Sequence, residues 1–219
     1  MLELSNVEVS IAGVRILRDV SFAIAPGATV ALIGRNGAGK TTTLRTVMGL
    51  IESRGIIRVD GKELTYVRAS DRAGLGIGYA PEDRRLFSAF TVEENVLMPG
   101  QVAGMTPDEL TTRRDRVYDI LPELRELAPR PAGSVSGGQG KMVALGRALM
   151  IGSKLIMLDE PFQGLAPALA QRYAEALFRL RSFDRDVTLL ITESNPTLLK
   201  SLADRTLTIE RGEIVDELL

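Results

Sequence analysis

A glycine-rich segment near the N-terminus predicts chemistry more directly than any other part of the sequence. Residues 34–41 read GRNGAGKT. Glycines let the backbone curl so that successive N–H groups point at phosphate oxygens. Lys40 can add a positive charge for the phosphates, and the Thr41 hydroxyl can ligate Mg²⁺. The spacing therefore predicts a phosphate-binding P-loop, with a chance glycine-rich turn as the alternative.

Two adjacent carboxylates, Asp159 and Glu160, follow the apolar run 155–158. Such a run is typical of a buried strand, and open α/β sheets bind ligands at the carboxyl ends of their strands. Asp159 is predicted to hold Mg²⁺, and Glu160 to orient or deprotonate an attacking water. Alone, this pattern is equally compatible with a capped loop. A P-loop in the same chain favours the catalytic interpretation.

A second candidate anion site is the segment 136–139, which reads SGGQ and precedes a helical pattern of apolar residues. A serine and two glycines at a helix N-terminus present backbone N–H groups that can bind an anion. One mononucleotide does not need two such sites in one subunit. The same residues can instead cap the helix, and the physical pattern alone leaves both interpretations open.

The elements that must position these residues alternate between strand and helix patterns. Strands and hairpins are predicted at 2–4, 20–24, 29–33, 56–64, 154–158, 187–192 and 206–215. Helices are predicted at about 40–48, after the P-loop, and at about 167–181, after the carboxylate pair. Strands that alternate with helices predict an α/β fold with a parallel sheet.

Residues 83–135 are predicted to form a mainly helical insertion. Thr106 is a predicted N-cap, Pro107 the first helical residue, and acidic residues follow in the first turn. We therefore expect one domain, 1–219, with a P-loop NTPase core. The core and a small antiparallel β subdomain occupy 1–82 and 136–219, and the helical subdomain occupies 83–135.

The composition excludes several kinds of chemistry. The 219 residues include no histidine and no cysteine, which excludes a histidine base, a His-ligated metal, a disulfide and a cysteine nucleophile. The chain has 27 basic and 28 acidic residues, so it lacks the excess of positive charge that binds a phosphate backbone. Nucleic acid is therefore not an expected partner. The longest apolar runs fall short of the roughly 20 residues that span a bilayer. Any membrane role is expected to depend on other chains.

Taken in order, the P-loop, the SGGQ segment and the strand ending in Asp-Glu resemble the ATP-binding cassette (ABC) family over essentially the whole chain. The segments 34–50 (GRNGAGKTTTLRTVMGL), 80–95 (APEDRRLFSAFTVEEN) and 159–167 (DEPFQGLAP) are most similar to ATPases of importers for branched-chain amino acids, with relatives for urea and short amides. The resemblance implies the ABC ATPase fold and ATP and Mg²⁺ as cofactors. It also implies that the loop 135–139 of one subunit caps the γ-phosphate on the P-loop of the other.

The resemblance also implies partners and a location. The expected partners are a second ABC ATPase subunit, identical or paralogous, transmembrane permease subunits and, indirectly, a periplasmic or extracellular solute-binding protein. The expected location is the cytoplasmic face of the cell membrane, to which the chain would bind peripherally. Leu86, Phe87 and Phe90 are candidates for packing on a permease helix, with ordinary packing inside the insertion as the alternative.

The site residues expected on these grounds have three roles. Glu160 is the expected catalytic carboxylate. Residues expected to bind nucleotide are Gly34, Asn36, Gly37, Ala38, Gly39, Lys40, Thr41 and Thr42, with Ser136, Gly137, Gly138 and Gln139 serving the partner's nucleotide. Residues expected at the metal are Thr41, Asp159 and Glu82, the last of which stands where the family usually has glutamine.

Four further positions depart from the family pattern. Ile11 stands where an aromatic residue often stacks on adenine, and Ser194 where a histidine usually contacts the γ-phosphate. Phe162 and Ala166 replace a usual serine and aspartate. The expected function is an ATP-hydrolysing subunit of an importer. The alternatives are a weakly hydrolysing or regulatory ABC subunit and a soluble ABC ATPase without a transport role.

Overall fold

The computed structural model describes residues 1–195, 197 and 199–218. Its strands are β1 (Leu2–Ile11), β2 (Val14–Ile24), β3 (Thr29–Ile33), β4 (Arg54–Val59), β5 (Lys62–Glu63), β6 (Ile77–Ala80), β7 (Leu155–Asp159), β8 (Thr188–Glu193), β9 (Arg205–Glu210) and β10 (Glu213–Leu218). Its helices are α1 (Lys40–Val47), α2 (Ala69–Ala73), α3 (Val92–Val102), α4 (Pro107–Ile120), α5 (Pro122–Leu127), α6 (Gly137–Ile151) and α7 (Pro167–Phe183).

A six-stranded sheet in the order β10-β9-β3-β8-β7-β6 forms the centre of the fold. β3 pairs in parallel with β8 and β9, and β7 pairs in parallel with β6 and β8. β9 and β10 form the predicted antiparallel hairpin. Every residue of β7 and β8 is buried, as expected for parallel strands covered on both faces. Because parallel strands end at one edge, the loop after β3 and the ends of β7 and β8 come together there.

A smaller antiparallel sheet in the order β2-β1-β4-β5 covers one face of the central sheet. Buried and exposed residues alternate along much of β1 and β2, so one face of each strand packs inward. Leu4 and Phe22 of this sheet share a hydrophobic cluster with Leu32 of β3 and Leu44 of α1. The predicted β subdomain therefore packs against the helix that follows the P-loop.

A second hydrophobic cluster fills the opposite face of the central sheet. Along β7, Leu155 and Met157 belong to the first cluster, whereas Ile156 and Leu158 belong to the second, together with residues of α4 to α7. Helix α6 packs on α3, α4 and α5 and also on β6 and β7. It therefore connects the helical part of the chain to the central sheet.

Local sequence determines where three helices begin. Thr91, Thr106 and Ser136 are N-caps of α3, α4 and α6, and each forms a capping box with the acidic residue or glutamine three positions later. The predicted α/β fold and the helix start at Thr106 are confirmed. The division of the chain at residues 83 and 135 stays a prediction. None of the helices in the described ranges is long and apolar enough to cross a membrane.

Candidate active site

The loop that joins β3 to α1 has a backbone that requires glycine at three positions. Gly37 and Gly39 have positive φ angles of 80° and 117°, which residues with a Cβ rarely adopt. At Gly34, a Cβ would lie 2.4 Å from the carbonyl oxygen of Ile209, so a side chain there would displace the backbone. The loop leads directly into α1, whose N-terminal end carries a partial positive charge.

A cleft of about 430 Å³ lies along this loop. Among the predicted site residues, those that line it are Asn36, Gly37, Gly39, Lys40, Thr41, Thr42, Glu82 and Glu160. Ile11, Ile16 and Gln163 complete the lining. Gly34 and Ala38 are buried and do not line it. Because Ile11 and Ile16 are in the lining, they offer apolar surface to the adenine base of a nucleotide whose phosphates lie on the P-loop.

The ammonium group of Lys40 lies among oxygen atoms of the site. Its Nζ is 2.9 Å from Glu160 Oε1, in an ion pair whose side chains are only 4% and 6% exposed. It also donates hydrogen bonds to the Gly34 carbonyl at 2.6 Å and to Ser194 Oγ at 3.0 Å. Water screens a buried pair only weakly. A phosphate that enters the cleft must therefore compete with Glu160 for this lysine.

Three hydroxyl groups orient the carboxylate of Asp159. Thr41 Oγ1 and Thr192 Oγ1 donate to its Oδ1 at 3.0 and 2.8 Å. The hydroxyl of Tyr79 donates to Oδ2 at 3.2 Å. Burial raises the pKa of Tyr79 above its usual range, so this hydroxyl stays protonated and able to donate. The carboxylate is therefore fixed within reach of the first turn of α1.

The oxygen atoms of Thr41 and Asp159 fit Mg²⁺. They lie 3.0 Å apart, and a hydroxyl with a carboxylate is a donor set that this hard cation prefers. Within the described part of the chain, no group of three or more acidic side chains could hold a metal by itself. Mg²⁺ in ATPase sites takes most of its ligands from phosphates and water, so one or two protein oxygens suffice. Glu82 lines the same cleft.

Glu160 is held by both its backbone and its carboxylate. It has a positive φ of 47°, which is uncommon for a residue other than glycine. Its N–H lies 3.1 Å from both the carbonyl and the hydroxyl oxygen of Thr192. Ser194 Oγ lies 2.8 Å from Glu160 Oε1 and 2.9 Å from Asn36 Oδ1. Ser194, at the position where the family usually has histidine, thus connects the P-loop to the predicted catalytic carboxylate.

The segment 136–139 lies at the start of α6, outside the cleft. Ser136 Oγ accepts from the N–H of Gln139 at 3.2 Å, and Gln139 Oε1 accepts from the N–H of Ser136 at 2.9 Å. The capping interpretation is therefore confirmed. Ser136 and Gly137 are exposed, and none of the four residues lines the P-loop cleft. Because the first N–H groups of a helix have no partner within it, this exposed end can still bind an anion that another molecule brings.

A third carboxylate, Glu193, is buried at the end of β8. Burial raises the pKa of Glu193 to about 7, the nearby Glu160 adds to the rise, and Lys141 opposes it. Its Oε1 accepts from the N–H of Phe162 at 2.8 Å. Phe162 packs edge-on against Tyr173, with ring centroids 5.5 Å apart. Phe162, which stands where the family usually has serine, therefore packs in the core.

Sequence reasoning missed two residues that orient Asp159. Tyr79 and Thr192 lie near the carboxyl ends of β6 and β8, the two neighbours of β7 in the sheet. Their role depends on strand order, which no local pattern in the sequence reveals. The available signal was the hydroxyl group of each residue. Thr192 ends the predicted strand 187–192, and Tyr79 lies near the end of β6, the neighbour of β7.

Two basic side chains near α6 were also missed. Lys141 Nζ donates to the carbonyl oxygen of Glu160 at 2.5 Å. Arg84, in the loop that carries Glu82, donates from Nη1 to the carbonyl oxygen of Gly137 at 3.0 Å. Both contacts join segments far apart in sequence. The available signal for Lys141 was its place in the second turn of the helix that follows SGGQ.

A parallel sheet with a P-loop after one strand and an Asp-Glu pair at the end of a nearby strand defines a P-loop ATPase. The sequence matches the ABC transporter family over residues 17–163, which is more than half of the chain. The chain belongs to this family and is an ABC-type ATPase subunit.

Similar proteins span nearly the same length as this chain. A high-affinity branched-chain amino acid transport ATP-binding protein, BraG of Pseudomonas aeruginosa, is 40% identical over 98% of this chain and 91% of its own. A probable branched-chain amino acid transport ATP-binding protein, LivF of Archaeoglobus fulgidus, is 34% identical over 91% of this chain and 84% of its own. The lipopolysaccharide export ATP-binding protein LptB of Escherichia coli is 31% identical over 98% of this chain and 88% of its own.

A solved structure supports the same fold. An ATP-binding cassette of an ABC transporter, in its ADP conformation, superposes with a TM-score of 0.86 at 27% identity. The match covers 99% of this chain and 90% of that one. The predicted fold class, a P-loop core with the ABC ATPase architecture, is therefore confirmed.

Proposed function

We propose that this chain binds and hydrolyses MgATP as one half of a nucleotide sandwich, in an importer for branched-chain amino acids or related small polar solutes. The observation that carries the proposal is how the predicted site is divided. Lys40, Thr41 and Glu160 line one cleft, whereas the segment 136–139 lies outside it, with Ser136 and Gly137 exposed. A second ATPase subunit that brings its own copy of this segment would complete the cleft.

Each residue has a specific part in this proposal. The backbone N–H groups of the loop 34–39 and the ammonium of Lys40 bind the triphosphate. Thr41 and Asp159 would hold Mg²⁺, with Glu82 in the lining of the cleft, and the ion would neutralise charge on the phosphates. When Lys40 turns to the phosphates, its ion pair with Glu160 is broken. Glu160 is then available to orient or deprotonate the attacking water.

The proposed solute rests on relatives rather than on the cleft. BraG and LivF are described as branched-chain amino acid transport proteins and are 40% and 34% identical to this chain. LptB, described as a lipopolysaccharide export protein, is 31% identical and makes export a second candidate. Solute choice in either case belongs to other chains of the complex, so the partners distinguish the two.

A second cavity, of about 470 Å³, is our candidate for docking a permease helix. Its basic and apolar lining includes Arg45, Met48, Leu50, Ile51, Arg84, Arg85, Pro99 and Arg147. Arg147 also stacks over Phe87, 5.2 Å from the ring centroid, and Phe87 stacks on Phe90 at 5.7 Å. Phe87 and Phe90 are exposed beside this second cavity, whereas Leu86 packs against the core. The two phenylalanines therefore stay candidates, and Leu86 serves packing.

Purification of the tagged chain from its native membranes tests the assembly. We expect two membrane subunits, a second ATPase subunit and an amino-acid-binding protein to copurify. Arg147 lines the second cavity, so Arg147→Glu should no longer copurify with the membrane subunits. Its circular dichroism spectrum should stay that of the parent. Copurification with lipopolysaccharide-export subunits would favour the export candidate. Copurification with ribosomes, and without membrane subunits, would contradict a transport role.

Ser136→Arg is expected to prevent ATP-dependent association of the two ATPase subunits. The larger, charged side chain at the exposed start of α6 would occupy the space into which the partner's γ-phosphate fits. Sedimentation with MgATP, in a Glu160→Gln background that blocks hydrolysis, measures the association. Ser182→Arg, an exposed serine on α7, is the matched control and should associate like the parent. Association by neither the parent nor the control would argue against the sandwich.

A further inference from the structure

The side chain of Lys141 joins the helix that starts at the SGGQ segment to the predicted catalytic carboxylate of the same subunit. It lies in the second turn of α6, five residues after the N-cap Ser136. Its half-buried ammonium group donates to the carbonyl oxygen of Glu160 at 2.5 Å. A charged donor makes such a bond stronger than a neutral one. Helix α6 and the end of β7 are therefore linked at the predicted catalytic residue.

The backbone of Glu160 needs support of this kind. Its φ of 47° is a left-handed conformation, which residues other than glycine keep only where the surroundings impose it. Thr192 fixes one side of the residue by accepting from its N–H. Lys141 fixes the other side by donating to its carbonyl. Together these bonds fix the backbone from which the side chain of Glu160 extends.

The charged groups around Lys141 also bear on its contact with Glu160. Burial lowers the pKa of Lys141 from its ordinary value, while the carboxylates of Glu193, Glu82 and Glu160 act in the opposite direction. Lys40 is the ion-pair partner of Glu160, at 2.9 Å, and the phosphates of a bound nucleotide compete for it. Once Lys40 has turned to the phosphates, the ammonium of Lys141 still contacts the carbonyl oxygen of Glu160.

We infer that Lys141 is a positioning residue for ATP hydrolysis, which holds Glu160 in its left-handed conformation and ties it to the helix that begins at Ser136. The inference rests on the proposed role of Glu160 in hydrolysis. A purely structural tie between α6 and β7 is the alternative. The two differ in what loss of the ammonium changes: the position of Glu160 affects turnover, whereas a structural tie affects the stability of the whole domain.

Lys141→Met tests the inference, because methionine keeps much of the length and loses the charge and the donor. The assay is steady-state phosphate release by the complete complex, in which the partner ATPase carries a disabled P-loop. We expect kcat to fall about 10-fold or more, in line with the cost of misplacing a catalytic group, with KM for ATP within about 2-fold of the parent. Lys141→Arg, which can still donate to the carbonyl, should recover most of the rate.

The controls separate this inference from the proposed function. Lys154→Met removes a surface lysine, paired with Asp60 at 2.8 Å, and should leave turnover unchanged. Turnover of Lys141→Met equal to the parent, with Glu160→Gln inactive, would overturn the inference alone. A lower unfolding temperature and a raised KM in Lys141→Met, with no rescue by arginine, would show the structural tie instead. Parental turnover by Glu160→Gln would overturn the proposed function itself.

Discussion

Lys40→Ala is expected to abolish tight binding of MgATP. The ammonium of Lys40 is buried in the lining of the cleft, next to the loop 34–39 whose N–H groups we propose bind the phosphates. Charge-assisted hydrogen bonds contribute about 1.5–3 kcal/mol each, so the loss of two of them weakens binding by about 100-fold or more. Equilibrium titration with a fluorescent ATP analogue and Mg²⁺ measures the affinity.

A double variant separates loss of binding from loss of folding. In Lys40→Ala the carboxylate of Glu160, which is 6% exposed, loses its ion-pair partner. Breaking a buried pair on one side costs about 3–5 kcal/mol of stability. Lys40→Ala combined with Glu160→Gln removes both charges and should recover much of the unfolding temperature, but not the affinity for MgATP. Parental affinity for MgATP in the double variant would show that Lys40 does not bind the nucleotide.

Glu160→Gln is expected to lower kcat by at least about 100-fold, within the range for general-base catalysis. Glutamine keeps the shape of the side chain and an oxygen that can accept from Ser194. It removes the negative charge that competes with the phosphates for Lys40, at 2.9 Å. MgATP should therefore bind at least as tightly as to the parent. Phosphate release and nucleotide titration on the same preparation measure both effects.

The matched control for this variant is Glu193→Gln. It also removes a buried carboxylate at a strand end of the same sheet. The amide oxygen can still accept from the N–H of Phe162, which Glu193 contacts at 2.8 Å. Turnover of this control should stay close to that of the parent. Equal losses in both variants would mean that any charge removal at this edge of the sheet impairs the site, and would contradict the specific role of Glu160.

The sequence predicted the parts of the site that depend on local patterns. The P-loop is a single segment, 34–41, whose glycines and lysine carry their own conformational and chemical requirements. The strand before Asp159 was visible as an apolar run, and the start of α4 was visible in its N-cap and proline. Each of these features is encoded within a few consecutive residues, so no knowledge of the tertiary fold was needed.

The contacts between distant segments could not be predicted in this way. Lys40 and Ser194 are 154 residues apart in sequence, and their hydrogen bond depends on β3 and β8 being neighbours in the sheet. The hydroxyl of Tyr79 reaches Asp159 only because β6 lies beside β7. The left-handed backbone of Glu160 has no signature in its residue type. These features follow from strand order, which composition and periodicity leave open.

Absence of histidine makes the rate at this site the central question. Ser194 contacts both Lys40 and Glu160 but brings no positive charge to the γ-phosphate. Phosphoryl transfer depends mainly on positioning and charge stabilisation, which Lys40, Mg²⁺ and the partner's helix N-terminus can supply. We therefore expect hydrolysis at this P-loop to be present but slow.

The most direct measurement is steady-state phosphate release by the complete membrane complex, with the P-loop of the partner ATPase disabled so that only the site of Lys40 and Glu160 is counted. We expect slow turnover that requires Mg²⁺ and falls at least about 100-fold further in Glu160→Gln. A complex that assembles and binds MgATP at this site, yet shows no turnover there, would contradict hydrolysis at this P-loop and identify the chain as a regulatory subunit.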